Sequence, residues 1–378
     1  MQMKNVLAPP FTTSQLQYPH LYNMMCIRSL APAALWALLL AHAGMAAVVV
    51  RQPAPACSTQ PIAHSVPISA SKPIATSVSK TASKAVSSSS TAQPSTVSSS
   101  TSHFAPSMSD TFVYDLDNQP IDAPTIKTKS GLSVNEHVYI VDMEGSTAEQ
   151  IANYHAQGKK VICYFSAGTW EPYRSDRKSF NSQCYCGKGV STDSSGKCTG
   201  AGSNDNELEE WGEWWLDIHN PSCLTNIESV MSSRIAAAAA KGCDGVDPDN
   251  VDSYSNSQKY GTSAQDQVNY LLWLSKTARS HGLAIDLKNA GGLITGDSGQ
   301  PTQWANSLVN AFDFNVIESC HQYNECNIYD PFLAAGKPQI QIEYGTNIKS
   351  CPTLSAGQKL LVYSENDLDS SKITLSCQ

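Results

Sequence analysis

The fold is decided by the segment AAAAAKGCDGVDPDNVDSY at residues 236–254, in which a helix runs into a strand. The alanine-rich stretch predicts a helix over 224–241, and Gly242 is typical of a helix end. The next run, CDGVDPD (243–249), predicts a buried strand that finishes in acids. A second helix, predicted over 262–281, leads into the strand LAIDLK at 283–288. This order predicts parallel strands joined by helices.

The same alternation extends in both directions along the chain. The other predicted strands are HVYIVD (137–142), KVICYFS (160–166), WWLDI (214–218), FDFNVIES (312–319), PQIQIEYG (338–345) and LVYSEN (361–366). Eight strands separated by helices in a segment of this size predict an α/β fold, a (β/α)8 TIM-type barrel. The rival is a doubly wound open sheet, which the missing Gly-rich nucleotide-binding loop after the first strand disfavours.

Composition divides the chain into three regions. Residues 1–50 end in an apolar run, 30–50, which fits either a cleaved signal peptide or a retained membrane anchor. Residues 51–111 are rich in Ser, Thr, Ala and Pro, which predicts a disordered stalk. Residues 112–378 hold the predicted barrel. We therefore expect an extracellular catalytic domain, secreted or anchored at the cell surface.

The charge is concentrated in the barrel region. The chain has 25 Lys and Arg and 33 Asp and Glu residues, and six of the basic residues but only one acid lie in residues 1–111. That leaves 19 basic and 32 acidic residues, a net charge of −13, in residues 112–378. Such a domain is a poor candidate for binding nucleic acid, because nucleic-acid affinity depends on basic side chains. The acidity suits either a cationic partner or solubility.

Acidic residues recur at the predicted carboxyl ends of the strands, where a (β/α)8 barrel has its active site. They are Asp142, Asp217, Asp247, Asp249, Glu318 and Glu343. One acid at such a place often caps the following helix, but six exceed what capping needs. Two carboxylates in one cleft are what glycoside hydrolysis requires, one donating a proton and the other attacking carbon or activating water. The pattern therefore predicts a glycosidase.

Aromatic residues near the same strand ends are candidate platforms for sugar rings. They are Tyr164, Trp170, Tyr173, Trp214, Trp215, Tyr254 and Tyr344. For Trp214 and Trp215, burial beneath a loop is an equally good interpretation. Lys288, which ends the fifth predicted strand, either orients a carboxylate or sugar hydroxyl or serves as a structural ion-pair partner.

Six motifs in order resemble glycoside hydrolase family 114, the endo-α-1,4-polygalactosaminidases. The motifs are VICYFSAGTWEPYRSD (161–176), WWLDIHNP (214–221), GCDGVDPDNVDSY (242–254), GLAIDLKNAGGL (282–293), FNVIESCHQY (314–323) and QIQIEYG (339–345). The resemblance covers about residues 112–378 and leaves out the stalk and the apolar segment. It implies a (β/α)8 barrel that hydrolyses α-1,4-linked galactosamine inside the chains of a galactosaminogalactan-type exopolysaccharide.

The resemblance also implies a catalytic pair, Asp249 of the PDN motif and Glu318 of the IES motif. By analogy with barrels that cleave α-galactosides, Asp249 is expected to be the nucleophile and Glu318 the general acid/base, with retention of configuration. The expected binding residues are Asp142, Tyr164, Trp170, Trp215, Asp217, Asp247, Asn250, Lys288, Glu343 and Tyr344. Of these, Asp142, Asp217 and Asp247 are expected to pair with the ammonium groups of a cationic galactosamine polymer.

Two other functions remain open at this stage, namely a hydrolase of another α-galactoside and a cell-wall carbohydrate-binding protein without catalysis. The sequence predicts no cofactor or metal, and we expect a monomer. Ten of the twelve cysteines fall in the barrel region, which favours disulfides. A bridge is expected between Cys320 and Cys326, and another between Cys351 and Cys377. Two further bridges are expected among Cys184, Cys186, Cys198 and Cys223.

Overall fold

The computed structural model describes residues 103–116, 125–345 and 347–378. The expected signal or anchor segment and nearly all of the expected stalk lie outside these residues. No helix in the described part of the chain combines the length and apolar character needed to cross a bilayer.

A nine-stranded sheet forms the core of the domain. Its strands, in sheet order, are β1 (Phe112–Asp115), β2 (Val138–Asp142), β3 (Lys160–Ser166), β4 (Gly245–Asp249), β5 (Ala284–Lys288), β6 (Phe314–Glu318), β7 (Gln339–Tyr344), β8 (Gln358–Tyr363) and β9 (Ile373–Cys377). The first eight are parallel, and β9 is antiparallel to β8. The predicted barrel with eight parallel strands is therefore confirmed.

Side chains connect the two ends of this sheet. The Tyr363 hydroxyl of β8 donates to the Tyr114 carbonyl of β1 at 2.8 Å. The Gln378 side chain bonds both the amide nitrogen and the carbonyl oxygen of Phe112. Phe112 also meets Phe314 of β6, with ring centroids 5.8 Å apart, although β1 and β6 are not neighbours in the sheet. The rings fill the interior, as expected of a packed barrel.

Helices α1 (Ala148–Ala156), α2 (Pro221–Lys241), α3 (Ala264–Ser280) and α4 (Ala305–Ala311) connect strands of the barrel, and α5 (Cys320–Tyr323) and α6 (Asp330–Ala334) are short. The predicted end of α2 is confirmed, since Gly242 has φ of 92° and its amide bonds the carbonyls of the last turn. The predicted start of α3 is confirmed too, because Ser263 and Asp266 form a capping box.

Two of the predicted strands need correction. The run 214–218 is not a barrel strand, because Glu213–Trp215 pairs antiparallel with Thr169–Trp170 and with Glu207–Leu208 in a small separate sheet. Two strands of the large sheet were not predicted, namely β9 and the parallel strand β1, which is only four residues long and lies next to the polar linker. Among the parallel strands, the wrongly predicted strand 214–218 and the missed β1 offset each other. The strands β4, β5 and β6 are therefore still the fourth, fifth and sixth, as predicted.

Five disulfides lie in the described part of the chain. The bridges Cys320–Cys326 and Cys351–Cys377 confirm two predictions. The bridges Cys184–Cys223 and Cys186–Cys198 settle the pairing that the sequence left open among these four cysteines. The bridge that the sequence analysis missed is Cys163–Cys243, which joins β3 to the turn before β4.

Candidate active site

A cleft of about 370 Å³ opens at the carboxyl ends of the barrel strands. Its lining is mainly polar and aromatic and includes Asp142, Tyr164, Tyr173, Arg174, Trp211, Glu213, Trp215, Asp249, Asn250, Asp252, Lys288, Asn289, Glu318 and Tyr344. Both predicted catalytic carboxylates are in it.

The ammonium of Lys288 lies between these two carboxylates. Its Nζ is 3.0 Å from Asp249 Oδ2 and 3.4 Å from Glu318 Oε2, and the lysine side chain is only 2% exposed. The faces of the Tyr114 and Tyr164 rings lie on other sides of the ammonium, with centroids 5.5 and 5.3 Å from Nζ. The lysine at the end of β5 therefore bridges acids on β4 and β6.

Glu318 accepts hydrogen bonds from the Tyr344 hydroxyl and from Asn289 Nδ2, the latter at 2.6 Å. Asn289 Oδ1 in turn accepts from the Glu318 amide at 3.0 Å, so one asparagine bonds both the carboxylate and the backbone of Glu318. Burial favours the neutral carboxyl, but the charge of Lys288 and these donors outweigh it, and the pKa of Glu318 is lowered. Glu318 is therefore ionised at neutral pH.

Asp249 is held by its backbone as well as by its side chain. Its Oδ2 accepts from the Tyr164 hydroxyl at 3.1 Å, and its carbonyl accepts from the amide nitrogens of Ala167 and Gly168 at 2.9 and 3.2 Å. A Cβ on Gly168 would lie 1.6 Å from the Asn250 carbonyl oxygen, so only glycine fits there. The loop after β3 thus packs directly on the end of β4.

The residues that follow β4, β5 and β6 share a left-handed backbone conformation. Asn250, Asn289 and Ser319 have φ of 58°, 50° and 59°. This conformation is unusual for residues other than glycine and is concentrated at functional sites. It turns the chain sharply away from the barrel immediately after Asp249, Lys288 and Glu318.

A second acidic pair lies beneath the cleft. Asp247 and Asp286 are both fully buried, and Asp247 accepts a hydrogen bond from the Tyr114 hydroxyl. Burial raises the pKa of Asp286 well above its usual range and that of Asp247 to about 6. The charge of Asp247 raises the pKa of Asp286 further, so the pair carries less charge than two aspartates normally do. Asp247 therefore lies under the site and does not line it.

Three other predicted binding residues do not line the cleft. Trp170 is fully buried and stacks on Tyr185 at 4.5 Å, so its ring faces are covered. Asp217 accepts the amide of Asn220, the residue that caps α2. Glu343 accepts the His321 amide, outside the main cleft.

Asp142 lines the cleft, but the Arg174 guanidinium lies 2.6 Å from its Oδ2 and neutralises it. Trp215 also lines the cleft, although it is 3% exposed. Tyr164, Asn250, Lys288 and Tyr344 lie where they were expected.

Arg174, Trp211, Glu213 and Asp252 are among the lining residues that were not predicted from the sequence. Burial and the nearby Glu171 raise the pKa of Glu213 to about 7, and burial and Asp249 raise that of Asp252 to about 7. Glu213 comes one residue before the run assigned to a barrel strand, so its position at the cleft was hidden by that error.

Comparison with known proteins identifies the family of the chain. The profile of glycoside-hydrolase family GH114 matches residues 93–375. The chain belongs to glycoside hydrolase family GH114. It is therefore a glycoside hydrolase, and the resemblance noted in the sequence motifs is confirmed.

Among solved structures, the chain is similar to Ega3 from Aspergillus fumigatus, crystallised in complex with galactosamine. That protein is 27% identical, with a TM-score of 0.54, over 73% of this chain and 98% of that chain. The glycoside hydrolase domain of PelA from Pseudomonas aeruginosa is 14% identical, with a TM-score of 0.44, over 71% of this chain and 96% of that chain. No curated protein sequence matched significantly.

Proposed function

We propose that this glycoside hydrolase cleaves α-1,4-linked galactosamine polymers at internal bonds, with Asp249 and Glu318 as its catalytic pair. The observation that carries the proposal is the single buried ammonium of Lys288 in contact with both carboxylates. The similarity to Ega3, crystallised with galactosamine, supports the substrate. The excess of acids over bases in the domain suits an ammonium sugar.

The spacing of the pair favours retention of configuration. Asp249 Oδ2 and Glu318 Oε2 are separated by at most the sum of their distances to Lys288 Nζ. That sum is below about 6.5 Å, the lower end of the range for inverting enzymes, whereas retaining enzymes have carboxyl groups about 5–5.5 Å apart. A covalent glycosyl-enzyme fits this separation better than a water molecule placed between the carboxylates.

In the proposed first step, an Asp249 oxygen bonds to the anomeric carbon while the glycosidic bond breaks, and Glu318 gives its proton to the leaving oxygen. In the second step, Glu318 takes a proton from water, which attacks the anomeric carbon and releases Asp249. The lowered pKa of Glu318 counts against a proton-donor role in the free enzyme. With these roles, kcat/KM should fall as pH rises above the pKa of Glu318, and a rate that stays constant through that range would count against Glu318 as the proton donor.

The test uses Asp249→Asn and Glu318→Gln, with Glu228→Gln on α2 as the matched control outside the cleft. Release of reducing ends should be measured from galactosamine polymer and from its fully N-acetylated form. Each cleft variant should lose at least roughly 10²–10⁴-fold in kcat, and the control should behave as the unmodified enzyme. Cleavage of neither polymer by the unmodified enzyme would reject the substrate proposal.

The roles are tested separately with alanine variants. Azide should partly restore activity to the variant lacking the nucleophile and give a glycosyl azide of opposite anomeric form to the normal product. A glycosyl azide of opposite anomeric form from Glu318→Ala rather than from Asp249→Ala would exchange the two roles. Full activity in both variants would reject the pair.

The five disulfides support the further proposal that the domain matures in an oxidising compartment and acts outside the cell. Expression with and without an oxidising export pathway, followed by thiol counting, tests this. An active enzyme with ten free thiols would reject it.

A further inference from the structure

Three large apolar side chains are conspicuously exposed in the described part of the chain. They are Tyr173 at 62%, Trp211 at 51% and Tyr323 at 43%. Tyr173 and Trp211 line the cleft, whereas Tyr323 does not. Exposed aromatic surface is worth explaining when it faces a binding cleft, because a ligand that covers it recovers the free energy of burial.

Glu213 lines the cleft beside Tyr173, and we refer to Tyr173, Trp211 and Glu213 as the wall of the cleft. Its carboxylate is buried and accepts hydrogen bonds from the Tyr173 hydroxyl at 2.8 Å and from the Thr169 hydroxyl at 2.6 Å. Asp142, Asp249 and Glu318 have cationic partners in this cleft. Among the described residues, Glu213 makes hydrogen bonds to hydroxyl groups and no ion pair.

We propose that Trp211, Tyr173 and Glu213 form a subsite for one galactosamine unit next to the bond that is cleaved. The Trp211 ring covers the apolar face of the sugar, and the Glu213 carboxylate binds its ammonium group. The inference rests on the proposed function, since it assumes that galactosamine polymer occupies this cleft. It identifies the wall of the cleft, rather than Asp142, Asp217 or Asp247, as the part that recognises the amine.

The electrostatics of the wall agree with a cationic ligand. Burial, the charge of Glu171 and that of Asp249 raise the pKa of Glu213. Glu171 is itself paired with Arg174 and Arg234, which lie on its other sides. A sugar ammonium would supply the positive charge that Glu213 lacks and would favour its ionised form. An N-acetylated unit has no such charge, so the subsite should select the free amine.

The experiment compares Glu213→Gln and Trp211→Ala with the control Tyr323→Ala, an exposed aromatic residue outside the cleft. For each, kcat and KM are measured on galactosamine oligomers and on partly N-acetylated oligomers. Trp211→Ala should raise KM roughly tenfold with little change in kcat, a loss equivalent to about 1.4 kcal/mol of binding. Glu213→Gln should lose most of the preference for the free amine, and Tyr323→Ala should match the unmodified enzyme.

A pH series adds a measurement that a purely structural role of Glu213 would leave unchanged. KM of the unmodified enzyme should fall as pH rises towards about 7, because Glu213 becomes ionised while the sugar amine still carries its proton, and Glu213→Gln should lack this fall. Tyr173→Phe, which removes one donor and keeps the ring, should retain the dependence with a shifted midpoint.

Several outcomes would overturn the proposal. A large fall in kcat of Glu213→Gln on every substrate, with KM unchanged, would make Glu213 part of bond cleavage instead. Equal behaviour of Trp211→Ala and Tyr323→Ala would remove the aromatic platform. If the unmodified enzyme does not cleave the polymer, the proposed function fails, and calorimetric binding of galactosamine oligomers to the same variants still decides the subsite.

Discussion

Replacing Lys288 by methionine tests the central contact of the site. Methionine has a similar length and no charge, so the change removes the ammonium and leaves the surrounding space largely filled. Asp249 and Glu318, whose side chains are 15% and 21% exposed, would then face each other without the cation that lies 3.0 and 3.4 Å from them.

The expected loss of stability at neutral pH is about 3–5 kcal/mol, the usual result of removing one partner from a buried ionic cluster. For a domain of this size each kcal/mol lowers the unfolding temperature by about 2–4 °C. In the unmodified enzyme the lowered pKa of Glu318 contributes stability above the unfolded-state pKa, and this contribution is lost as pH falls through the folded-state pKa.

The variant should show the opposite dependence on pH. Without Lys288, burial and Asp249 would raise the pKa of Glu318 above its unfolded value, so folding would take up a proton. The stability of Lys288→Met should therefore fall as pH rises from about 4.3, and its deficit should be larger at pH 7 than near pH 4.

Urea unfolding of Lys288→Met at acidic and neutral pH measures this difference, and Lys288→Arg, which keeps the charge, should lose less. Lys160→Met is the matched control, because Lys160 pairs with Asp244 at 2.8 Å and neither residue lines the cleft. A deficit that is the same at both pH values, or no larger than that of the control, would refute the bridging role of the ammonium.

Three further predictions follow from the charge and packing of the domain. The rate at subsaturating cationic polymer should fall as ionic strength rises, because salt screens attraction at an open cleft; a salt-independent rate would assign the acidity to solubility alone. A chain that begins at Phe112 should fold and be active but unfold at lower urea concentration than one that begins at His103, whose imidazole bonds Asp313 at 3.0 Å; an inactive, folded protein would contradict this. Asp247→Asn should reduce kcat less than Asp249→Asn, because Asp247 is fully buried below the cleft; the reverse order would exchange their roles.

The sequence predicted the parts of the fold that local patterns control. Gly242, Ser263 and Asp266 end or begin helices for reasons that act within a few residues. It failed at Phe112–Asp115 and at the run 214–218, where the outcome depends on distant partners. A four-residue strand carries little periodic signal, and Trp214 joins a small sheet only because Trp170 lies opposite to it.

The residues of the site also divide into those that local patterns predict and those that depend on distant contacts. Asp249, Lys288 and Glu318 each end a barrel strand, so the strand pattern alone brings them together. The pairing of Asp142 with Arg174 and the burial of Trp170 against Tyr185 could not be predicted. Arg174 and Tyr185 belong to irregular segments whose path no short motif specifies.

The segment between β3 and β4, which supplies Tyr173, Trp211 and Glu213 to the cleft, has its own covalent framework. Cys184–Cys223 and Cys186–Cys198 close it internally, and Cys163–Cys243 ties together the two barrel positions between which it leaves and returns. The groups proposed to break the bond come from β4, β5 and β6, outside this segment. Substitutions in the wall can therefore accumulate with little effect on the barrel, and enzymes built on this plan can acquire new polymer preferences while their chemistry stays the same.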